Sequence, residues 1–237
     1  MPEPGASARI LVALDALPRS AAALATAGAL AVELDAELAG LFVEDDDLAR
    51  LLTLPFAREL CAWSGTLRPL ALADVERVWR REAERLQRQL AEAAGQFRLR
   101  WSFRVARGRL AVEARLQAQG FDLVVLGART ADHVPAQGGP VLVLSGPEVP
   151  SVRLDLALRL ARRSGVELVR LAPAGSAAGP SSSRERHVAL ARPDPDSLLR
   201  AVRHEGAGCL VLPEGLLQPG ELKRVLDTVA CPVVLVR

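Results

Sequence analysis

The chain has 237 residues, with 30 Lys and Arg against 28 Asp and Glu, a formal net charge of +2, 3% aromatic residues and no Tyr. Both signs of charge are interspersed, so there is no basic stripe for nucleic acid and no aromatic platform for stacked bases. The length suits one large domain or two small ones that need no staple, and no apolar run reaches the roughly 18–20 residues of a membrane span.

Cys61, Cys209 and Cys231 form no short-spaced pair, which argues against a disulfide framework or a zinc site and for reduced thiols. The opening MPEPGASARILVAL lacks the basic region and cleavage site of a secretory signal. We therefore expect a soluble cytoplasmic protein with neither nucleic-acid nor membrane partners.

In chain order, Ile10–Leu14 (ILVAL) predicts a buried strand, and Ser20–Leu34 a helix with Leu24, Ala27, Ala31 and Leu34 on one face. Leu38–Val43 (LAGLFV) predicts a second strand, followed by the acidic run Glu44-Asp45-Asp46-Asp47. Over Ala71–Phe97, the residues Leu72, Val75, Trp79, Ala83, Leu86, Leu90, Ala93 and Phe97 recur at steps of three or four. That stripe predicts a long helix packed on a sheet rather than a partner-binding coiled coil. Trp101–Ala106 (WSFRVA) alternates, with Trp101, Phe103 and Val105 on one side, which suits an edge strand with one wet face. Leu123–Leu126, Val141–Leu144, Cys209–Leu212 and Val233–Val236 are continuous apolar runs, as in strands of a parallel sheet covered on both faces. Helices between strands imply right-handed βαβ units.

The chain repeats itself. Residues 10–43 lie on residues 140–173 without a gap, each reading strand, turn with Pro, Ala/Leu-rich helix, strand. Further on, FDLVVLGA (121–128) lies on AGCLVLPE (207–214). The second copy is shorter by roughly the stretch Asp45–Arg98, and AGSAAGPSSS (174–183) reads as the flexible linker in its place. The first copy lacks a counterpart to the last helix and strand within GLLQPGELKRVLDTVACPVVLVR. We divide the chain into residues 1–138 and a shortened second repeat, 139–237, which Val141–Leu144 opens.

ILVALD, GLFVEDDDLARL, DLVVLGAR and the terminal CPVVLVR resemble the universal stress protein family in a tandem arrangement. The resemblance is strongest over residues 9–128 and weaker after 140. It implies an α/β fold of two Rossmann-like lobes, each a parallel sheet of order 3-2-1-4(-5) with helices on both faces. It also implies homodimerisation through the last strand.

The family's ATP binders carry Gly, two residues, Gly, nine residues, then Gly-Ser/Thr after the fourth strand. Backbone N–H groups freed by the glycines, and the hydroxyl, hold the phosphates. An Asp after the first strand and a Val after the second hold ribose and adenine. Asp15, Val43, Gly127 and Arg129 match these positions. Thr130 replaces the second glycine, and the nearest third element is Gly139-Pro140, whose proline offers neither hydroxyl nor N–H. In the second copy Ser145 replaces the Asp and Pro213 the first glycine. We read a degenerate site, made of those four residues, with no cofactor. ATP binding is the alternative.

Glu44–Asp47 could hold a hard cation, but acids at a helix start also cap it and complement its dipole, the reading we adopt. Arg107, Arg109 and Arg129 could receive an anion, though solvated charge is the simpler reading. His133, His187 and His204 have no metal spacing, and no nucleophile elbow occurs. No residue is assigned to catalysis or to a metal. The sequence thus reads as a non-enzymatic, dimeric stress-response regulator that binds a small ligand or a protein partner. The alternative is an ATP/AMP-binding member with weak hydrolysis.

Overall fold

The computed structural model describes residues 8–16, 20–54, 58–61, 63–69, 71–127, 138–145, 151–173, 184–190, 192 and 194–237. The first stretch runs β1 (Arg9–Leu14), α1 (Ser20–Leu34), β2 (Glu37–Asp45), α2 (Asp46–Leu52), β3 (Arg58–Leu60), β4 (Leu67–Pro69), α3 (Leu72–Gln96), β5 (Trp101–Gly108), α4 (Leu110–Gln117) and β6 (Leu123–Leu126). It continues with β7 (Val141–Leu144), α5 (Ser151–Ser164), β8 (Leu168–Pro173), β9 (Glu185–Leu190), α6 (Pro195–Glu205), β10 (Cys209–Pro213), α7 (Pro219–Thr228) and β11 (Val233–Val236).

Nine of the strands form one sheet of order β5-β2-β1-β6-β11-β10-β7-β8-β9, while β3 and β4 pair separately as a small antiparallel hairpin. Within β5-β2-β1-β6 and within β9-β8-β7-β10-β11 every pairing is parallel. The two halves meet antiparallel at β6 and β11, with Leu126 opposite Val233 and Leu123 opposite Val236. The first half has order 3-2-1-4 and the second 3-2-1-4-5. Val141–Leu144 pairs with β8 and β10 and so belongs to the second half.

The central strands are buried along their whole length, as their unbroken apolar runs require. Alternate side chains feed two cores. On one face Ile10, Val12, Leu14, Val125 and Val143 pack under α1, α3 and α5. On the other, Leu11, Ala13, Val124, Leu126 and Leu142 pack under α4, α6 and α7. Helices α1 and α5 touch on the first face, and α7 touches both α4 and α6 on the second. Matching helices therefore lie on matching faces of opposed half-sheets, the arrangement of a twofold axis normal to the sheet.

Helix α3 buries Trp79, Ala83, Leu86 and Leu90 and packs on α1, β2 and β5, as an ordinary sheet-covering helix. The buried stripe ends at Ala94 rather than Ala93, and Phe97 is exposed beyond the helix. Strand β5 is an edge strand, paired among the described residues only with β2. Strand β9 departs from the sequence reading: ERHVAL is half polar because it too is an edge strand, so no apolar run marks it. The β3–β4 hairpin left no signal either, since its three-residue strands bury almost nothing.

Candidate functional site

The carboxyl edge of β2, β1 and β6 is where an open α/β sheet of this order presents a ligand crevice, because the chain reverses its direction of strand addition there. Leu14 stands opposite Phe42, and Ala13 opposite Leu126. One residue further on, Asp15 and Val43 therefore sit level on β1 and β2, while Gly127 on β6 stands level with Leu14, one residue short of Asp15. Asp15 is half-buried, and its carbonyl accepts a 2.8 Å hydrogen bond from the Ser20 hydroxyl at the start of α1. Val43 is buried in the core under α4. The Gly127 N–H donates to the Ala13 carbonyl at 3.3 Å, tying β6 to β1. A Cβ at Gly127 would meet nothing nearer than 3.9 Å, so local packing does not demand glycine. Arg129, Thr130 and His133 lie outside the described residues.

Gly139 and Pro140 are held elsewhere. They lead into β7, which is separated from β6 by β11 and β10, about 14 Å at the usual strand spacing. The Pro140 carbonyl accepts from the Gly208 N–H at 2.9 Å. A Cβ on Gly139 would stand 2.3 Å from the Gly206 carbonyl oxygen, and one on Gly208 would stand 2.5 Å from the Gly139 oxygen. Two backbone segments cross there at a distance only glycines allow.

The acidic run is consumed locally. Asp45 caps α2: its Oδ1 accepts from the backbone N–H of Asp47 at 3.0 Å and of Leu48 at 3.3 Å. Arg109 grips Asp47 through Nε and Nη2 at 3.0–3.2 Å, and these bonds hold the Asp47 carboxyl below its ordinary range. Arg107 donates to Glu76 at 2.9 Å and to Glu44 at 3.1 Å, and lies 5.7 Å over the Trp79 ring. Asp46 pairs with Arg50 at 2.6 Å. Arg107 and Arg109, two of the three arginines read from the sequence as an anion receiver or as solvated charge, are ion-paired to the carboxylates beside them. Among the described residues no group of three or more His, Cys, Asp or Glu is placed to hold a metal ion.

Beside this cluster, a groove of about 540 Å³ runs between α3 and the edge strand β5, floored by Ala83, Phe103 and Val105 and rimmed by Glu76, Arg80 and Glu84. Sequence reasoning missed it, because no motif marks a groove between a helix and a sheet edge. It also missed a nearly enclosed ion pair in the second half. Arg170 and Glu185 meet at 2.7 Å with side chains 12% and 8% exposed. The only early signal was an arginine inside an apolar strand. His187 stands opposite Arg170 in register, and the Arg170 Nε and His187 Nε2 atoms are buried without partners.

The three thiols differ. Cys209 and Cys231 are buried, and burial pushes the Cys231 thiol up to about 12. Cys61 is half-buried at the β3–β4 turn, where bonds from Ser64 and Trp63 lower its pKa. Among the described residues, no helix is long and apolar enough to cross a membrane.

This sheet order, with opposed halves and helices on both faces, defines an α/β protein of the universal stress protein fold. A universal stress protein from Archaeoglobus fulgidus DSM 4304 is similar over 98% of this chain and 96% of its own, at 12% identity and a TM-score of 0.52. A functionally unknown protein from Pseudomonas aeruginosa PAO1 matches over 98% of this chain and 92% of its own, at 14% identity and a TM-score of 0.47. No family model matches the sequence, and no curated protein matches it.

Proposed function

We propose that the protein is a non-enzymatic member of the universal stress class, a regulator that acts by binding a protein partner or a small ligand, with a nucleotide site decayed beyond tight binding. One observation carries this reading: the glycine that would close the phosphate loop, Gly139, is packed against Gly206 and Gly208 about three strands from Gly127. An anion cradle needs backbone N–H groups that converge on one group of oxygens, and the two ends of this loop diverge. The charge balance supports the same reading. Arg107 and Arg109 are already neutralised by Glu44, Glu76 and Asp47, and the surrounding carboxylates would repel a polyphosphate. Asp15, Val43 and Gly127 persist as the frame of the older site.

The purified chain, denatured and run on ion exchange, should release no adenine nucleotide. Its melting temperature should move by less than about 1 °C in ATP–Mg²⁺ at concentrations that would stabilise a tight binder by about 2.7 kcal/mol, a hundred times Kd. Near-stoichiometric nucleotide, or a melting shift abolished by Asp15→Ala, would establish the nucleotide-binding alternative instead.

A further inference from the structure

In this chain the last strand, β11, is flanked by β10 and β6, so both its edges are used within one molecule. Pairing through that strand is closed to a second copy, and only β5 and β9 end the sheet. Of the two, β5 is longer, eight residues against six, and carries the more exposed apolar side chains. Trp101 is 40% and Val105 53% exposed, on the same side of the strand as Phe103, which packs partly into the core.

We propose that β5 is a self-pairing edge, joining two copies antiparallel about a twofold axis at Phe103, with the Trp101 of each copy seated in the partner's groove beside Val105. This goes beyond the functional reading above and does not depend on it.

Three features fit. First, Leu38 N–H donates to the Arg100 carbonyl, so the even residues of this strand face β2. By alternation Trp101, Phe103 and Val105 turn their N–H and C=O groups outward, where an antiparallel copy centred on Phe103 bonds to them. Second, the register is selected. Centring on Arg104 sets that arginine against itself, and centring on Ser102 sets Arg100 against Arg104, like charges directly opposed. Centring on Val105 sets Trp101 against Arg109, which Asp47 already holds. Centring on Phe103 places Arg104 opposite Ser102 and Trp101 opposite Val105, an aromatic–β-branched pair of the favourable kind. Third, the groove lies where the Trp101 ring would arrive. Val105 and Phe103 form its floor together with Ala83, and Arg80 stands at the rim. The half-exposed ring and the groove sit at opposite ends of one strand, so a single twofold axis fills both grooves, as an isologous contact must.

The interface is modest. Two tryptophans at about 150–250 Å² each, with the flanking strand, fall near the low end of stable interfaces, which points to a dissociation constant of about 1–50 µM. Sedimentation equilibrium of the full chain over about 1–100 µM should show a reversible monomer–dimer equilibrium. Trp101→Arg should weaken it at least tenfold without changing the circular dichroism spectrum or melting temperature. Val105→Pro should do the same, because proline is tolerated on an edge whose N–H faces outward. A third variant, Ser102→Cys with Arg104→Cys in a Cys61→Ser background, keeps Trp101 and Val105 and should form intermolecular disulfides on oxidation. Opposed residues of a non-bonded antiparallel pair stand about 4.5 Å apart at Cα, within disulfide reach. A chain that stays monomeric to about 100 µM, a dimer that neither Trp101→Arg nor Val105→Pro weakens, or the absence of that crosslink would overturn the proposal.

Discussion

Replacing Gly139 by Ala tests where the chain spends this glycine. The new Cβ would stand 2.3 Å from the Gly206 carbonyl oxygen, 2.8 Å from the Gly208 nitrogen and 3.2 Å from the Ala207 carbonyl carbon, all of them backbone atoms. No rotamer change relieves such an overlap. The two segments must part by roughly 1 Å, at a cost of about 1–3 kcal/mol by analogy with overpacked cores. Parting them also weakens the bond from the Gly208 N–H to the Pro140 carbonyl, about 1 kcal/mol more. Against this, alanine restricts the unfolded chain and returns about 0.4–1 kcal/mol. The net expectation is a loss of about 1–3.5 kcal/mol, read from the urea midpoint by circular dichroism at unchanged slope. Gly208→Ala should behave alike, since its Cβ would meet the Gly139 oxygen at 2.5 Å. Gly127→Ala should change stability by less than about 0.5 kcal/mol, as its nearest neighbour is 3.9 Å away. Wild-type stability in Gly139→Ala would refute the crossing and return that glycine to a phosphate loop.

The buried thiols predict an alkaline limit. Burial raises Cys231 to about 12 and Cys209 well above its ordinary value. Both are neutral in the folded state, so their contribution is intact below about pH 8.5–9 and is lost as pH rises toward the folded values. Between pH 8 and 10 we expect each to lose about 1–2 kcal/mol. Urea titrations of Cys231→Ala should show a flatter alkaline limb than the parent, and an unchanged limb would contradict the assignment. In the same native protein, Cys61 alone should react with a thiol reagent, and all three should react after denaturation. Arg170→Met leaves the Glu185 carboxylate without its partner in a nearly enclosed position and should cost about 3 kcal/mol by urea denaturation. A change under about 1 kcal/mol would mean water already serves that carboxylate.

The fold was legible wherever burial wrote an unbroken pattern. The runs at Ile10–Leu14, Leu123–Leu126, Val141–Leu144 and Val233–Val236 name strands covered on both faces, and the stripe through Trp79, Leu86 and Leu90 names the helix that covers β2 and β5. The edge strand β5 announced itself by alternation. Its counterpart β9 did not, because Glu185, Arg186 and His187 make its first half polar. Of the candidate site only positions were legible. The family resemblance singled out Asp15, Val43 and Gly127, which stand at one sheet edge, but which charges neutralise which depends on contacts between elements far apart in sequence. Arg107 reaches Glu76 across 31 residues and Arg109 reaches Asp47 across 62. No local pattern encodes such a pairing, so a cluster that looked able to receive a cation or an anion turned out to satisfy itself.

The antiparallel seam at β6 and β11 closes the inner edge of each half-sheet and leaves β5 and β9 at the rim. The first half ends at β6, and no described helix and strand follow it before β7, so β11 from the second half takes the neighbouring place in the sheet. A single helix, α7, then covers the seam and touches α4 and α6 on either side. That arrangement buries Val124, Leu126, Val233 and Leu235 in one core, which ties the halves into a cooperative unit. It also leaves Gly127, at the end of β6, and Gly139, just before β7, three strand spacings apart in the sheet. Opposed halves present their carboxyl ends on opposite edges of the sheet. The carboxyl edge of the first half is therefore the amino edge of the second, and the pairing of Leu126 with Val233 brings the residues leading into β11 beside Gly127. What association remains open is at the rim of the sheet, where the outer backbone groups of β5 pair with no other strand among the described residues.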